Sequence, residues 1–262
     1  MIELLLIGIG TGNPDHLTLA AIKAMKTADL VLVPLKGEEK SDLADVRRAI
    51  LREHVGGATT RVIEFAMPLR DRDSPDYRHG VDLWHDAIAE VWKDAITHAM
   101  PTGVGRVALL VWGDPSLYDS TIRIAERLKA ASAIGSVSVV PGLTSIQLLT
   151  SAHGIALNEI GENVVVTTGR KLAKQGWPDG AGTVVVMLDG QCAFTSLLRE
   201  ATEACETSIW WGAYLGLPQQ ITINGRLTDV AEHIVETRRA ARLRHGWIMD
   251  TYLLRRRSRV EG

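Results

Sequence analysis

Two α/β domains in sequence, each built on a largely parallel or mixed sheet, are what this sequence predicts. Three observations carry that reading. The chain has 262 residues, more than one typical domain of about 150. Short apolar runs that end at glycine or proline alternate with stretches of three- and four-residue apolar spacing. A Pro141-Gly142 pair interrupts the alternation near the middle, which places the expected boundary between 1–140 and 141–262.

In chain order, residues 2–9 (IELLLIGI) form an Ile/Leu-rich run ending in a glycine turn, as a buried parallel strand does. From Leu17 the positions Leu17, Ala20, Ala21, Ala24, Met25 and Ala28 mark one face of a helix, with Thr18 as its cap. LVLVP (30–34) predicts a strand stopped by its proline, and RVIEF (61–65) another. The charged, proline-bearing stretch 67–78 predicts a surface loop. A long helix follows, with Val81, Trp84, Ile88, Val91 and Ala95 as its apolar stripe. VALLVW (107–112) predicts a strand ending at Gly113-Asp114-Pro115, 120–131 a helix, and VSVVP (137–141) a strand. A helix opens after Pro141-Gly142-Leu143-Thr144-Ser145 and runs to about His153. In the second half ENVVVTTG, GTVVVMLDG, TSIWWGA, QQITING and GWIMDTYLL each predict a strand.

Composition narrows the function classes. The chain is 46% hydrophobic and 23% charged, as a globular protein is. Its 29 bases and 31 acids give a net charge of −2, which argues against a nucleic-acid partner. The two cysteines, Cys192 and Cys205, have no metal-binding or disulfide spacing and fit a reducing, cytoplasmic compartment. The opening apolar run carries an acid where a signal peptide wants bases and is too short to span a bilayer.

Open α/β sheets bind ligands at the carboxyl ends of their strands, so the loops that end strands are the candidates. Gly8-Ile9-Gly10-Thr11-Gly12-Asn13 lacks a third fingerprint glycine, because position 13 is Asn13, and Asp29 precedes the second strand instead of ending it. A dinucleotide site is excluded on both counts. Gly113-Asp114-Pro115 taken alone is an ordinary turn, but here it follows a six-residue apolar strand. The Thr144-Ser145 loop opens a helix whose free amides suit polar ligand groups.

Read together, these loops resemble the tetrapyrrole methylase family, class III methyltransferases that use S-adenosylmethionine. The resemblance rests on GIGTGNPDHLTLAAIKAMKTADLVLVP, VALLVWGDPSLYDS, VVPGLTSIQLLTSAHGIAL, TVVVMLDG and GAYLGLPQQITINGRLTDV, in family order from Leu4 to about Val230. It implies a ligand cleft between the two domains, the first carrying the glycine-rich and Gly-Asp-Pro loops and the second completing the cofactor site. Trp112, Gly113, Asp114 and Leu117 would hold the cofactor's amino-acid end, and Thr144 and Ser145 would contact it nearby. Leu188, Ala213 and Leu215 would border the adenine. Thr11 stands where the family has proline, so its contact would be through backbone. The family methionine falls on Leu188, with Met187 one place early, and the family's small residue falls on Leu215, with Ala213 two places before it.

The stretch MPLRDRDSPDYRHGVDLWHDAIAEVW followed by GDPSLY is similar to the cobalamin-pathway members. Thr11 and Asn13 in the first turn and MLDG later refine that similarity, which implies methylation of precorrin-5 at C-1 with loss of its acetyl unit as acetate, S-adenosylhomocysteine as co-product and a homodimer; methyl transfer to an electron-rich carbon calls for no metal, and the opening run for no membrane. Acetyl removal needs a group to guide a proton. Asp15, Tyr118 and Asp119 are the catalytic candidates, with His16 beside them, although each residue type also serves as turn, cap or packing. His153, at a helix end, suits a helix-terminal role. Arg170 and Lys171, after the VVVTTG strand, would meet substrate carboxylates. Residues 235–262 carry eight arginines against three acids, which suits carboxylates, a solvated tail or a dimer surface equally. Most of the seven tryptophans are expected in the core, with Trp112 the exception. Another precorrin methylase (C-20 of precorrin-2, C-11 of precorrin-4), an RNA- or protein-directed relative, and a non-catalytic nucleotide- or tetrapyrrole-binding module are the competing readings.

Overall fold

The computed structural model describes residues 1–35, 41–55, 60–70, 76–199 and 201–256. Contacts divide the chain into two compact units, Met1–Thr144 and Ser145–Gly262. Pro141-Gly142 stays with the first unit because the Gly142 N–H is bound by Asp114 at 2.9 Å.

The first unit is a five-stranded parallel sheet in the order β3-β2-β4-β1-β5. Its strands are β1 (Ile2–Gly8), β2 (Leu30–Leu35), β3 (Arg61–Ala66), β4 (Gly105–Val111) and β5 (Ser136–Val140). Its helices are α1 (Leu19–Lys26), α2 (Ser41–Val55), α3 (Tyr77–Ala99) and α4 (Thr121–Ala130). The two-residue period of a strand sends alternate side chains to opposite faces. Leu5, Ile7, Val31, Val33, Ala108 and Leu110 pack on Ala21 and Met25 of α1 and on Ile50, Leu51 and Val55 of α2. Leu4, Leu6, Leu30, Leu32, Val107 and Leu109 pack on the other face against Ile88, Trp92 and Ile96 of α3 and Ile124 and Leu128 of α4. Both faces are covered along the central strands β1, β2 and β4, which are therefore mostly apolar, whereas the edge strands β3 and β5 carry Arg61, Glu64, Ser136 and Ser138. A fully buried leucine such as Leu4 or Leu6 contributes roughly 1.5–3 kcal/mol.

Thr18 caps α1 by accepting from Ala21 N at 3.0 Å, as expected. Three details differ from the sequence reading. Strand β2 continues through Pro34 to Leu35, because its pairing with β4 covers only Leu30–Leu32 and beyond that it pairs β3 alone. A missing N–H is tolerated where the ladder has a single neighbour. The buried stripe of α3 runs His85, Ile88, Ala89, Trp92, Ile96 and Ala99, so Trp84, Val91 and Ala95 sit at its half-buried margin. Finally, α2 lies where no element was assigned. Of the predicted loop 67–78, residues 71–75 lie outside the described residues, and α3 begins at Tyr77 behind the cap Asp76.

The second unit is a mixed sheet in the order β6-β7-β10-β8-β9. Its strands are β6 (Val164–Thr168), β7 (Thr183–Met187), β8 (Thr207–Ala213), β9 (Ile221–Arg226) and β10 (Asp250–Arg256). Only β6 and β7 pair in parallel; β10 runs antiparallel to β7 and β8, and β9 antiparallel to β8. The helices are α5 (Ser145–His153), α6 (Gly169–Gln175), α7 (Ala201–Glu206) and α8 (Leu227–His245). Phe194, Leu197, Trp211, Tyr214, Ile234 and Tyr252 centre its core. Trp92 and Trp211 are the buried tryptophans, and the other five are half-buried. Indoles carry an N–H and are rarely buried completely. No helix of the described residues is long and apolar enough to cross a membrane.

Candidate active site

Strand β1 leads into α1 on one face of the first sheet, and its neighbour β4 leads into α4 on the other. Their carboxyl ends are therefore the topological switch point, where an open α/β sheet leaves a crevice. The Gly8–Gly12 and Gly113–Asp114 loops leave the sheet here. They are joined by an antiparallel bridge in which Gly113 N donates to Gly10 O at 2.7 Å and Gly10 N to Gly113 O at 3.2 Å.

Three glycines let the ends of β1, β4 and β5 touch. A Cβ on Gly8 would lie 2.6 Å from Gly142 N and 2.9 Å from Gly113 O, and one on Gly142 would lie 2.7 Å from Gly8 C. Backbone cannot yield to such contacts, so no side chain fits. Gly113 differs: its φ of +69° favours glycine, and a Cβ there would meet nothing within 4 Å. The backbone beside Asp114 thus faces open space that a ligand can enter.

Asp114 is half-buried and ties two of these loops together. Its Oδ1 accepts from Ser116 N at 2.8 Å and from the Ser116 hydroxyl, and its Oδ2 accepts from Gly142 N at 2.9 Å. Burial opposes its charge, but the Ser116 hydroxyl and the Gly142 and Ser116 amides outweigh it and hold the carboxyl below the ordinary aspartate range. A carboxylate has about four acceptor positions, so room remains on Oδ2 for an external donor.

Trp112, half-buried, lies with its ring edge against Gly12, where a Cβ would come within 2.8 Å of it. Thr11 is buried and Leu117 half-buried in the same two loops. Thr144 closes the first unit and Ser145 opens α5 in the second; both are half-buried.

The proton-handling candidates separate. Asp119 Oδ1 accepts from Thr121 N at 2.6 Å and from the Thr121 hydroxyl, so its carboxylate caps the start of α4. Asp15 is exposed, in the short 3-10 turn Pro14–His16, and its backbone N–H is bound by Asn13 Oδ1 at 3.0 Å. Tyr118 is 44% exposed with φ +49°, and burial of its phenol raises its pKa, so it stays protonated at neutral pH. His16 packs with its Cβ at 3.7 Å from the Cβ position of Gly10. His153 Nε2 hydrogen-bonds the Trp211 carbonyl at 3.1 Å, a structural tie within the second unit.

In the second unit β6, β7 and β8 all run in one direction, since β10 is antiparallel to both β7 and β8. Arg170, Lys171, Leu188, Ala213 and Leu215 therefore emerge at one edge of that sheet. Arg170 and Lys171 are exposed in the first turn of α6. Leu188 is 67% exposed with φ +53°, Ala213 is fully buried, and Leu215 is buried against Gly212. Asp189, which the sequence reading passed over, organises this edge by accepting from Gln191 N (2.9 Å), Ala193 N (2.6 Å) and Tyr252 OH (2.7 Å).

Three of the eight arginines of the tail make structural contacts. Arg238 pairs with Asp250 at 2.9 Å, Arg255 with Glu159, and Arg256 stacks on Trp177 at 4.2 Å. Arg239, Arg242 and Arg244 are exposed on α8, and Arg257 and Arg259 lie outside the described residues. Sequence reasoning also missed Arg47, which is 8% exposed on the inward face of α2. Its signal was an arginine at i+3 from Ala44 and i−3 from Ile50, within an apolar helical stripe. Among the described residues no group of three or more His, Cys, Asp or Glu side chains is placed to hold a metal ion.

Against known proteins, the model of the Tetrapyrrole (Corrin/Porphyrin) Methylases matches residues 3–231. A precorrin-6A synthase [deacetylating] from Sinorhizobium sp is 46% identical over 258 residues, covering 98% of this chain and 96% of that protein. The crystal structure of a cobalamin synthesis related protein (CobF) from Corynebacterium diphtheriae superposes with a TM-score of 0.79 at 37% identity, covering 98% of this chain and 99% of that one. The uroporphyrin-III C-methyltransferase of Thermus thermophilus, solved with S-adenyl homocysteine, has a TM-score of 0.59 at 21% identity, covers 96% of each chain, and shares the fold.

Proposed function

The chain belongs to the tetrapyrrole methylase family, and from that membership we propose that it is a methyltransferase of cobalamin biosynthesis. In this reading it methylates precorrin-5 at C-1 and releases the acetyl unit as acetate. One observation carries the choice among family reactions: the 46% identity to the deacetylating precorrin-6A synthase extends over nearly the whole of both chains. S-adenosylmethionine is the proposed methyl donor, and a cytoplasmic homodimer the proposed working form.

The first unit's residues suit that donor. Asp114 is kept ionised beside open backbone at Gly113, so its remaining lone pair can accept from an ammonium in a charge-assisted bond. Thr11, Trp112, Leu117, Thr144 and Ser145 are proposed to hold the rest of the amino-acid end. Leu188, Ala213 and Leu215 are proposed to border the adenine, and Arg170 and Lys171 to meet substrate carboxylates as fixed positive charges. The donor supplies an electrophilic methyl group on a sulfonium, and the electron-rich ring carbon is the nucleophile. The chain's work in that step is alignment, worth up to roughly 7–11 kcal/mol when two reactants are held in line.

Deacetylation needs water. Its oxygen bonds to the acetyl carbonyl carbon, and the bond from that carbon to the ring breaks. The electron pair passes into the ring's conjugated system, and the surplus proton leaves to a base. Asp15, Tyr118 and Asp119 are the proposed proton-handling groups. Of these Asp15 has the exposed carboxylate suited to accept the proton, protonated Tyr118 can orient the water, and Asp119 holds the start of α4 through Oδ1.

Incubation with methyl-labelled S-adenosylmethionine and precorrin-5, followed by an acetate assay, tests the proposal. Label in the ring with one acetate per methyl is expected. No label in precorrin-5 but transfer to precorrin-2 or precorrin-4, offered in parallel, assigns a sister methylation at C-20 or C-11. No transfer to any of the three assigns a binding module.

A further inference from the structure

Arg47 is a charge on a helix face that is otherwise apolar. It follows Ala44 and precedes Ile50, Leu51 and Val55 along the inward stripe of α2, and it is buried to the same degree as they are. A guanidinium is almost never buried without partners, and two of its partners among the described residues lie at the end of β4 and just beyond it. Val111 O accepts from Ile9 N on the β1 side at 2.9 Å. Carbonyls alternate sides along a parallel strand, so Leu110 O faces β2. The pairing of β2 with β4 has already stopped at Leu32 and Leu109. Arg47 Nε donates to Leu110 O at 3.0 Å, taking the place of the missing strand. Its guanidinium carbon lies 5.9 Å from the Trp112 ring centroid. The indole edge meets Gly12, and Val46, the neighbour of Arg47 on α2, would lie 3.0 Å from a Cβ there. Asp119 acts favourably on its charge.

We propose that Arg47 is a positioning residue for methyl transfer, acting through Trp112 and the Leu110 carbonyl to fix the Gly-Asp-Pro loop against the end of β4. The inference rests on the reading of that loop as the donor site. Burial costs the guanidinium enough to lower its pKa to about 10, with Asp119 opposing the shift. Such a cost fits a group kept for the geometry it imposes rather than for stability, since well-packed apolar residues in such places are often neutral or stabilising. Lysine cannot reproduce the effect, because a point charge lacks both the planar face for the indole and the fork for the carbonyl.

The test measures S-adenosylhomocysteine binding by calorimetry for the wild type, Arg47→Met, Arg47→Lys, Trp112→Phe and the Arg47→Met/Trp112→Phe pair, with folding checked by circular dichroism. The methionine variant is expected to remain folded and to bind at least tenfold more weakly. The lysine variant should fall between it and the wild type. Combining Arg47→Met with Trp112→Phe should weaken binding little beyond the worse single variant, because both break one unit. A folded methionine variant that binds within twofold of the wild type overturns the proposal, as does full additivity in the double variant. If Arg47→Met does not fold, Arg47→Lys decides alone: within twofold of wild type refutes, and a severalfold loss at unchanged melting temperature supports. Wild-type protein that fails to bind S-adenosylhomocysteine refutes the donor-site reading instead, so the two failures are distinguishable.

Discussion

Replacing Asp114 by asparagine perturbs one atom with two separable consequences. Asparagine keeps an oxygen for the Ser116 amide and hydroxyl, but it then turns an NH2 toward Gly142 N, which now donates to Oδ2 at 2.9 Å. Two donors face each other, and one half-buried N–H is left unsatisfied. Such a loss costs about 1–3 kcal/mol when buried, and at this half-exposed position the lower half of that range applies, about 1–2 kcal/mol of stability. The same change removes the charge offered to the donor's ammonium. A hydrogen bond to a charged group is worth about 1.5–3 kcal/mol, so affinity for S-adenosylhomocysteine should fall roughly ten- to hundredfold. Calorimetric titration reads the second effect and urea unfolding the first. Asp114→Ala, which forfeits the Ser116 bonds as well, should abolish measurable binding and cost more stability. A folded Asp114→Asn protein with near-normal affinity would mean that Asp114 only fastens the loop at 142, and the principal site assignment would be lost.

Two further outcomes follow from the same geometry. Gly8→Ala places a methyl 2.6 Å from Gly142 N and should lower stability by about 2 kcal/mol or more in urea, while Gly154→Ala, with φ +62° but open space around it, should cost about 1–2 kcal/mol; equal costs would refute the close approach of the three strand ends. His85 is 3% exposed with neither ring nitrogen bonded among the described residues, and burial, aided by Arg127, lowers its pKa below the usual 6.5. The unfolded chain therefore takes up a proton that the folded protein refuses, so stability should be full above about pH 6.5 and decline below it until the lowered folded pKa is reached. Melting temperatures of the wild type and His85→Leu between pH 8 and 5 check this, and an unchanged acid-side slope in the variant would contradict it.

Local chemistry decided most of the strand plan in advance. β1, β4 and β7 were legible because a strand covered on both faces is mostly apolar, the edge strand β9 because its positions alternate between half-buried and exposed, and α1 because Thr18 has to satisfy an N–H at its start. Helix α2 was not legible. An arginine on its inward face hides the periodicity, and there it binds the Leu110 carbonyl of β4 and lies beside the Trp112 indole, both far along the chain. The α3 stripe was misplaced by one position for a similar reason, since spacing fixes the period of a helix and the sheet it packs on fixes the phase.

For the site, the sequence alone singled out the loops at 8–13, 112–118 and 141–145, because glycine, aspartate and proline after an apolar run mark a chain leaving a sheet. What those residues do to one another had to come from the fold. That Asp114 grips Gly142 and that Arg47 lies against Trp112 are contacts between segments far apart in sequence, brought together by crossover connections, whereas Asp119 binds Thr121 only two residues on. Period and composition are properties of neighbours along the chain, whereas a hydrogen bond between residues 114 and 142 exists only after two crossovers have closed.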